Sequence, residues 1–253
     1  MKDSFYELQQ KVLSSFAYII QARLETLTTN YYVFNRNYQE LKKVLDAVKS
    51  PKNLFELWDL KNRDKLDIVI NEVIRLFHNY LASAKTLVDH TRIVIREWYK
   101  DTAFIDEYNK EINLRFENNP LAGFVEGLRN YSLHYTLPFA NATMSATIKE
   151  DGTSDIPDFS FVLYKSDLAV WSEWPKKAQA FLNGSGDEIS INQIIEEYFR
   201  GVEDFHKWMF QRLNEIHRKD LEWLNDMNEK LINMMSEDER EARGLKKPTM
   251  KES

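Results

Sequence analysis

The stretch Leu66–Trp98, LDIVINEVIRLFHNYLASAKTLVDHTRIVIREW, has the most regular hydrophobic pattern in the chain. One set of positions recurs every seven residues, and a second set lies between them: Ile70, Phe77, Ala84, Thr91 and Trp98, with Val73, Ile74, Leu81, Val88 and Ile95. This spacing is typical of a bundle helix that buries one face. We therefore predict a long helix here and a mainly α fold around it.

Helical spacing of apolar residues also predicts helices on both sides of this stretch. The predicted ranges are 4–29, 34–48, 104–116, 119–137, 167–182 and 190–235. Pro51 should end the second of these, and Pro175 should kink or divide the fifth, because proline disfavours helical geometry around it. Gly123 and Gly127, four residues apart, share one helix face and predict close packing against a neighbouring helix.

Two short segments have the alternating pattern of strands instead. Apolar and polar residues alternate over 144–148 and again over 159–163, which predicts a small β-hairpin inserted near 143–165. With no internal repeat and no clear linker, we expect an elongated helical bundle that forms a single domain over 1–235. The long helix 190–235 would complete it, and the charged segment 236–253 should be a flexible tail.

Composition excludes several classes of function. The chain of 253 residues contains no cysteine, which removes disulfides, zinc-thiolate sites and cysteine nucleophiles and fits a cytoplasmic protein. A net charge of -6 argues against a protein that coats nucleic acid through a basic surface. Because no run of about 18 apolar residues occurs, we expect no membrane-spanning helix.

The residues best suited to chemistry lie in the segment Leu128–Tyr135, LRNYSLHY. Arg129, Asn130 and His134 occupy the last turns of a predicted amphipathic helix, where apolar residues would otherwise continue. Histidine exchanges a proton near neutral pH, and arginine holds a phosphate through two parallel hydrogen bonds. Together these side chains suit phosphodiester cleavage.

The hexapeptide RNYSLH at 129–134 resembles the R-x4-6-H signature of HEPN domains, in which a polar residue commonly follows the arginine. The preceding stretch 79–92 is similar to a bundle helix of uncharacterised bacterial members. The resemblance covers about 66–138. It implies a helical bundle, usually dimeric, and the activity of many members as metal-independent ribonucleases of toxin–antitoxin or phage-defence systems. Arg129 and His134 would then be the catalytic pair and Asn130 an orienting residue.

The resemblance also implies the reaction and the partners. An RNA 2′-hydroxyl would attack the adjacent phosphate without a metal or other cofactor, and an antitoxin protein could be a further partner. At about 100° per residue, Arg129 and His134 lie about 140° apart around one helix, so a homodimer would have to assemble the site. The alternative is a non-catalytic interaction or scaffold protein in which the same residues only brace the bundle.

Other candidate residues favour structural roles. Glu203 and His206 have the spacing of a carboxylate-bridged metal site, but the second copy that such a site requires is absent from the sequence. His90 could line the same cleft as Arg129, although a structural role is expected for it, and His78 and His217 should be surface residues. The tryptophans lie mostly at helix-stripe spacing, so core packing explains them better than base stacking.

Overall fold

The computed structural model describes residues 2–145 and 158–244 and confirms a mainly α fold with a small sheet. Its helices are α1 (Lys2–Leu13), α2 (Phe16–Val48), α3 (Pro51–Trp58), α4 (Arg63–Tyr99), α5 (Phe104–Ile112), α6 (Pro120–His134), α7 (Lys165–Ala169), α8 (Lys176–Gly184), α9 (Ile191–Ile216), α10 (Arg218–Met234) and α11 (Glu237–Ala242). A 3-10 turn (Leu60–Asn62) precedes α4, and a π-helix (Asn113–Glu117) follows α5.

The chain divides into two compact units, and the prediction of a single domain over 1–235 stays a prediction. One unit comprises Thr29–His206 and contains the large aromatic-rich core. The other comprises Met1–Thr28 with Lys207–Ser253. Its smaller core joins α1, the start of α2 and α10 through Val12, Ala17, Leu224, Met227 and Leu231.

Helix α4 confirms the heptad pattern from which the fold was predicted. Every position of the two apolar sets is buried or half-buried, and Val73 and Ile95 are fully inaccessible. At about 25 cal/mol per Å² of apolar surface, a continuous stripe of this length contributes most of the stability of such a helix. Helix α6 packs against α4.

Helix α6 begins where the sequence predicts and packs closely on α8. The Asn119 side chain accepts a hydrogen bond from the Leu121 amide at 3.0 Å, and Pro120 occupies the first turn. A Cβ on Gly123 would overlap Lys177 Cβ, and one on Gly127 would lie 2.9 Å from the Trp174 ring. The predicted close contact at both glycines is confirmed.

Aromatic rings complete the contact between α6 and the segment that leads into α8. Phe124 stacks on Phe181 with ring centroids 4.4 Å apart, and Tyr131 stacks on Trp174 at 5.5 Å. The Trp174 indole also donates a buried hydrogen bond of 2.8 Å to the Leu168 carbonyl. Trp171 and Trp174 are thus packing residues, as expected from the sequence.

The predicted hairpin is part of a three-stranded antiparallel sheet of order β1-β2-β3. Strand β1 (Ala140–Ser145) pairs with β2 (Asp158–Tyr164), and Ala140 lies opposite Leu163. The third strand, β3 (Glu188–Ser190), was not predicted. A three-residue strand is too short to show alternation, so only its pairing reveals it. The predicted connection at 151–157 lies outside the described residues.

The N-terminal helix boundaries differ from the prediction. The predicted helix 4–29 is interrupted at Ser14 and Ser15, and α2 then continues through the predicted gap at 30–33. Ser15 Oγ donates to the Val12 carbonyl at 2.7 Å and accepts from the Tyr18 amide at 3.1 Å. The hydroxyl therefore ends one helix and caps the next, which is the usual competition of serine with backbone bonding.

The C-terminal helix also differs from the prediction. The predicted helix 190–235 is interrupted at His217, where φ is -100° and ψ is 16°, and continues as α10. His217 is buried at this break, so the prediction that it is a surface residue is wrong. Part of the predicted flexible tail is helical, because Ser236 and Glu239 form a reciprocal capping box at the start of α11. The rest of that segment, 245–253, lies outside the described residues. Pro175 divides the predicted helix 167–182 into α7 and α8.

Among the residues that the structure describes, no helix is both long enough and apolar enough to cross a membrane.

Candidate functional site

Arg129 lies in the C-terminal half of α6 and faces α4. Its side chain is half-buried, and Nη1 donates a hydrogen bond of 3.2 Å to Asn130 Oδ1. Asn130 is half-buried as well. The amide oxygen thus restrains one edge of the guanidinium, which is an orienting contact of the kind that the HEPN resemblance implies for Asn130.

A cleft of about 200 Å³ lies between α4 and α6 and includes Arg129 in its wall. The remaining lining residues are His78, Leu81, Ala82, Lys85, Thr86, Asp89 and His90 from α4, with Ser132 and Leu133 from α6. Lys85 Nζ lies 2.8 Å from Asp89 Oδ1 and 3.7 Å from Glu126 Oε1. These carboxylates balance the lysine, so Arg129 supplies a positive charge for an anion in this cleft.

Two histidines of α4 share this cleft with Arg129. His90 Nδ1 lies 3.1 Å from Asn30 Oδ1, which fixes one nitrogen of its ring. His78, predicted to be a surface residue, is half-buried, and its Nδ1 has no hydrogen-bond partner among the described residues. The partial burial of His78 could have been predicted from the heptad pattern. His78 directly follows the core residue Phe77 and therefore lies at the flank of the buried stripe.

His134 is exposed at the last residue of α6 and does not line the cleft. Within one chain, the structure therefore does not bring His134 and Arg129 into a common pocket. The cause is the helical period, since five positions rotate a side chain by about 140° relative to the first. Of the three predicted site residues, only Arg129 and Asn130 are in contact.

Several large apolar side chains on either side of His134 in the sequence are exposed. The exposed fractions are 51% for Leu133, 51% for Tyr135, 48% for Leu137 and 62% for Phe139. Exposed apolar residues that follow one another in this way mark a surface for another molecule more often than singly scattered ones do. Sequence reasoning missed this group, although the loss of helical spacing after Leu133 is visible in the sequence.

The Glu203 and His206 pair has a structural setting. His206 is buried and stacks on Tyr31 with ring centroids 4.9 Å apart, and burial lowers the pKa of its imidazole to about 4. Across residues 2–145 and 158–244, no three histidine, aspartate or glutamate side chains lie close enough to hold a metal ion. The expectation of a metal-free, cofactor-free site stays a prediction.

Comparison with known proteins identifies no family. No family model matches the chain, and no solved structure matches it. Over 144 residues, the chain is 24% identical to the protein translocase subunit SecA of Mycoplasma mycoides subsp. mycoides SC. This match covers 52% of the chain and 15% of SecA, so the chain spans a small part of that relative's length.

Proposed function

We propose that this protein is a metal-independent endoribonuclease of the HEPN type that acts as a homodimer in the cytoplasm. The observation that carries the proposal is the placement of Arg129. Its guanidinium lines a polar cleft, is held by Asn130 and faces two imidazoles. His134, five residues further along the same helix, is exposed.

In the proposed reaction, the 2′-hydroxyl oxygen of RNA attacks the neighbouring phosphorus and the 5′ oxygen of the next nucleotide leaves. His134 accepts the proton of the 2′-hydroxyl and the imidazolium then returns a proton to the departing 5′ oxygen, so the products are a 2′,3′-cyclic phosphate and a free 5′-hydroxyl. Arg129 stabilises the additional negative charge on the phosphate oxygens, and Asn130 limits its rotation.

A second copy of the chain would complete this site. Arg129 and His134 diverge on one helix, but two α6 helices related by a two-fold axis would bring both pairs to a shared cleft. The exposed apolar side chains at 133, 135, 137 and 139 lie beside His134, where such an interface would form. Burying them would favour association by the hydrophobic effect.

The biological setting that we propose is a bacterial toxin–antitoxin or phage-defence system. RNA would be the substrate, and an antitoxin protein would be the partner that restrains cleavage. The similarity to SecA adds nothing to this proposal, because it covers a small part of that protein.

A second candidate is a non-catalytic HEPN-like interaction protein. The exposed apolar residues on either side of His134 in the sequence favour this candidate, because such residues can form a binding surface in a protein without catalytic activity. In this case Arg129 and Asn130 would brace the contact between α6 and α4. The nuclease would cleave RNA into fragments, whereas the interaction protein would leave RNA intact.

The test is an RNA cleavage assay on the purified full chain in excess EDTA. We expect products with cyclic phosphate ends, and a rate loss of roughly 100-fold or more in Arg129→Ala and in His134→Ala. Arg63→Ala is the matched control, since Arg63 is exposed at the start of α4, away from the cleft. Circular dichroism would check that each variant is folded.

Mixing the two inactive variants tests the dimer. If both chains contribute to one cleft, a mixed dimer keeps one arginine and one histidine, so the mixture of Arg129→Ala and His134→Ala should regain part of the activity. Cleavage that persists in both variants, or no cleavage of any RNA by a folded dimer, would reject the nuclease and leave the interaction protein.

A further inference from the structure

A second and larger cavity lies within the Thr29–His206 unit, on the other side of Arg129. Its volume is about 680 Å³, within the range of pockets that hold small molecules. Its apolar wall includes Val88, Ile105, Phe116, Ala122, Val202 and Phe205. These residues come from α4, α5, the π-helix, α6 and α9, so five segments of the chain converge on one space.

One buried polar atom in this wall has no partner. Thr91 is only 3% exposed, and its Oγ1 makes no hydrogen bond with any described residue. Thr86, on the same helix, donates instead to the carbonyl four residues earlier at 3.0 Å. A buried hydroxyl without a partner costs about 1–3 kcal/mol, so a bound group that accepts its proton would remove this cost.

Basic side chains stand at the edge of the cavity. It is lined by Lys85, Arg92, Arg96, Arg129 and Lys177, against the acidic Glu117 and Glu126. Lys85 and Arg92 have carboxylate partners in Asp89 and Glu126, so the excess of positive charge rests on Arg96, Arg129 and Lys177 against Glu117, in a chain whose net charge is -6. A wall that is apolar inside and basic at its edge matches a molecule with a hydrocarbon body and a negatively charged head.

Two of these arginines are placed to hold one anionic group. Arg92 and Arg96 are four residues apart on α4 and therefore lie on one face. Arg92 Nη1 lies 3.9 Å from Asp89 Oδ1, whereas among the described residues no carboxylate pairs with Arg96. Tyr108 lines the same cavity, and burial raises the pKa of its phenol while the charges of Arg92 and Arg96 act in the opposite direction. Guanidinium groups bind carboxylates and phosphates through paired hydrogen bonds.

We propose that this cavity binds an amphipathic organic anion, with an aliphatic chain against the apolar wall and a carboxylate or phosphate head between Arg92 and Arg96. Thr91 Oγ1 donates a hydrogen bond to an oxygen of the bound molecule. The π-helix Asn113–Glu117 borders the cavity through Phe116, and π-helical turns often occur at binding sites. The proposed binding requires neither RNA cleavage nor a dimer, although Arg129 lines both this cavity and the cleft of the proposed nuclease site.

Isothermal titration calorimetry on the full chain would test the proposal with four probes of equal chain length. Decanoate and decyl phosphate carry the two heads, whereas decanol is neutral and decylamine is cationic. We expect binding of one or both anions, with decanol at least tenfold weaker and decylamine undetectable. The stronger anion identifies the head group. Equal binding of decanol and the anions, or no binding of either anion, would overturn the proposal.

Variants assign the binding to this cavity. Arg96→Gln should weaken anion binding about tenfold, since it removes one charged hydrogen-bond donor. Arg63→Gln, on the same helix but away from the cavity, should leave binding unchanged. Ala122→Phe and Val88→Phe fill the cavity from two different helices, so one can be used if the other fails to fold. Undiminished binding in Arg96→Gln or in a folded filled variant would contradict the assignment.

Thr91→Val gives a signature that a purely structural threonine would not show. The substitution keeps the shape and removes the hydroxyl without a partner, so we expect a higher Tm without ligand and weaker anion binding. A lower Tm, or unchanged binding, would mean that Thr91 does not serve a ligand.

Discussion

Alanine at Gly123 should destabilise the protein, although alanine is the better helix former. In an open helix position, the substitution would add up to about 1 kcal/mol of stability. At Gly123 the new Cβ would overlap Lys177 Cβ and lie 3.2 Å from the Lys177 carbonyl carbon and 3.3 Å from the Ala178 nitrogen. Two of these atoms belong to the backbone of α8, so the helix itself would have to move.

The magnitude follows from these contacts. Overpacking of a tight contact costs about 1–3 kcal/mol and occasionally more, and the helix-propensity gain offsets about 1 kcal/mol of it. The overlap at Lys177 Cβ and the two close backbone atoms place the cost in the upper part of this range, at about 2–3 kcal/mol, so we expect Gly123→Ala to lower the free energy of unfolding by about 1–2 kcal/mol. Gly201 is the matched control, because it lies inside α9 and a methyl group added there would have no atom of another residue within 4 Å. Gly201→Ala should be stabilising by about 0.5–1 kcal/mol.

Urea unfolding followed by circular dichroism would measure both variants. The reasoning requires changes of opposite sign, with equal denaturant slopes. Lys177→Gly should reduce the penalty, because it removes the Cβ that the new methyl group would overlap and leaves only the two backbone contacts. The double-mutant cycle isolates this coupling. A Gly123→Ala variant as stable as the wild type would refute the close approach of α6 and α8.

Two further predictions concern buried polar groups. Burial lowers the pKa of His206 from its ordinary 6.5 to about 4, so the fold favours the neutral imidazole. The stability that this residue contributes above pH 6.5 should therefore be lost as the pH falls towards 4, by up to about 3 kcal/mol. Urea midpoints should fall less over this range in His206→Phe than in the wild type; parallel losses would contradict this. Trp174→Phe removes the donor to the Leu168 carbonyl and should cost about 1–3 kcal/mol, more than Trp171→Phe; equal unfolding free energies for both variants would argue against that bond's contribution.

The parts of the fold that sequence predicts best are those determined by periodic burial. The α4 stripe is repeated over many turns, so its helix and its buried face follow from spacing alone. The start of α6 follows from Asn119 and Pro120, which act on their own backbone. The close packing of α6 against a neighbouring helix could be predicted from Gly123, because only a residue without a Cβ permits such a short distance between helices.

The parts that escaped prediction depend on pairing or on competition between weak local effects. Strand β3 has three residues and exists through its pairing with β2. The break at Ser15 depends on whether a hydroxyl or an amide bonds the Val12 carbonyl, and these choices are close in energy. The π-helix adds one residue to a turn, which leaves the apolar pattern almost unchanged.

The candidate site was predicted as residues but not as geometry. Arg129 and Asn130 are in contact, as neighbours on a helix can be, whereas the cleft partners His78 and His90 come from α4 and are distant in sequence. The angle between Arg129 and His134 could be worked out from the helical period. The residues of α4 that face Arg129 could not be predicted in this way, because they depend on how α4 and α6 pack.

The stacked rings on α6 give this protein a built-in optical probe. Tyr131 and Phe124 both lie against the Trp174 indole, at centroid distances of 5.5 and 5.7 Å. Near-ultraviolet dichroism and indole emission are sensitive to such coupling between rings. A sliding or rotation of the helix that carries Arg129 would thus be recorded without any attached dye, in the same cuvette in which RNA or an organic anion is added.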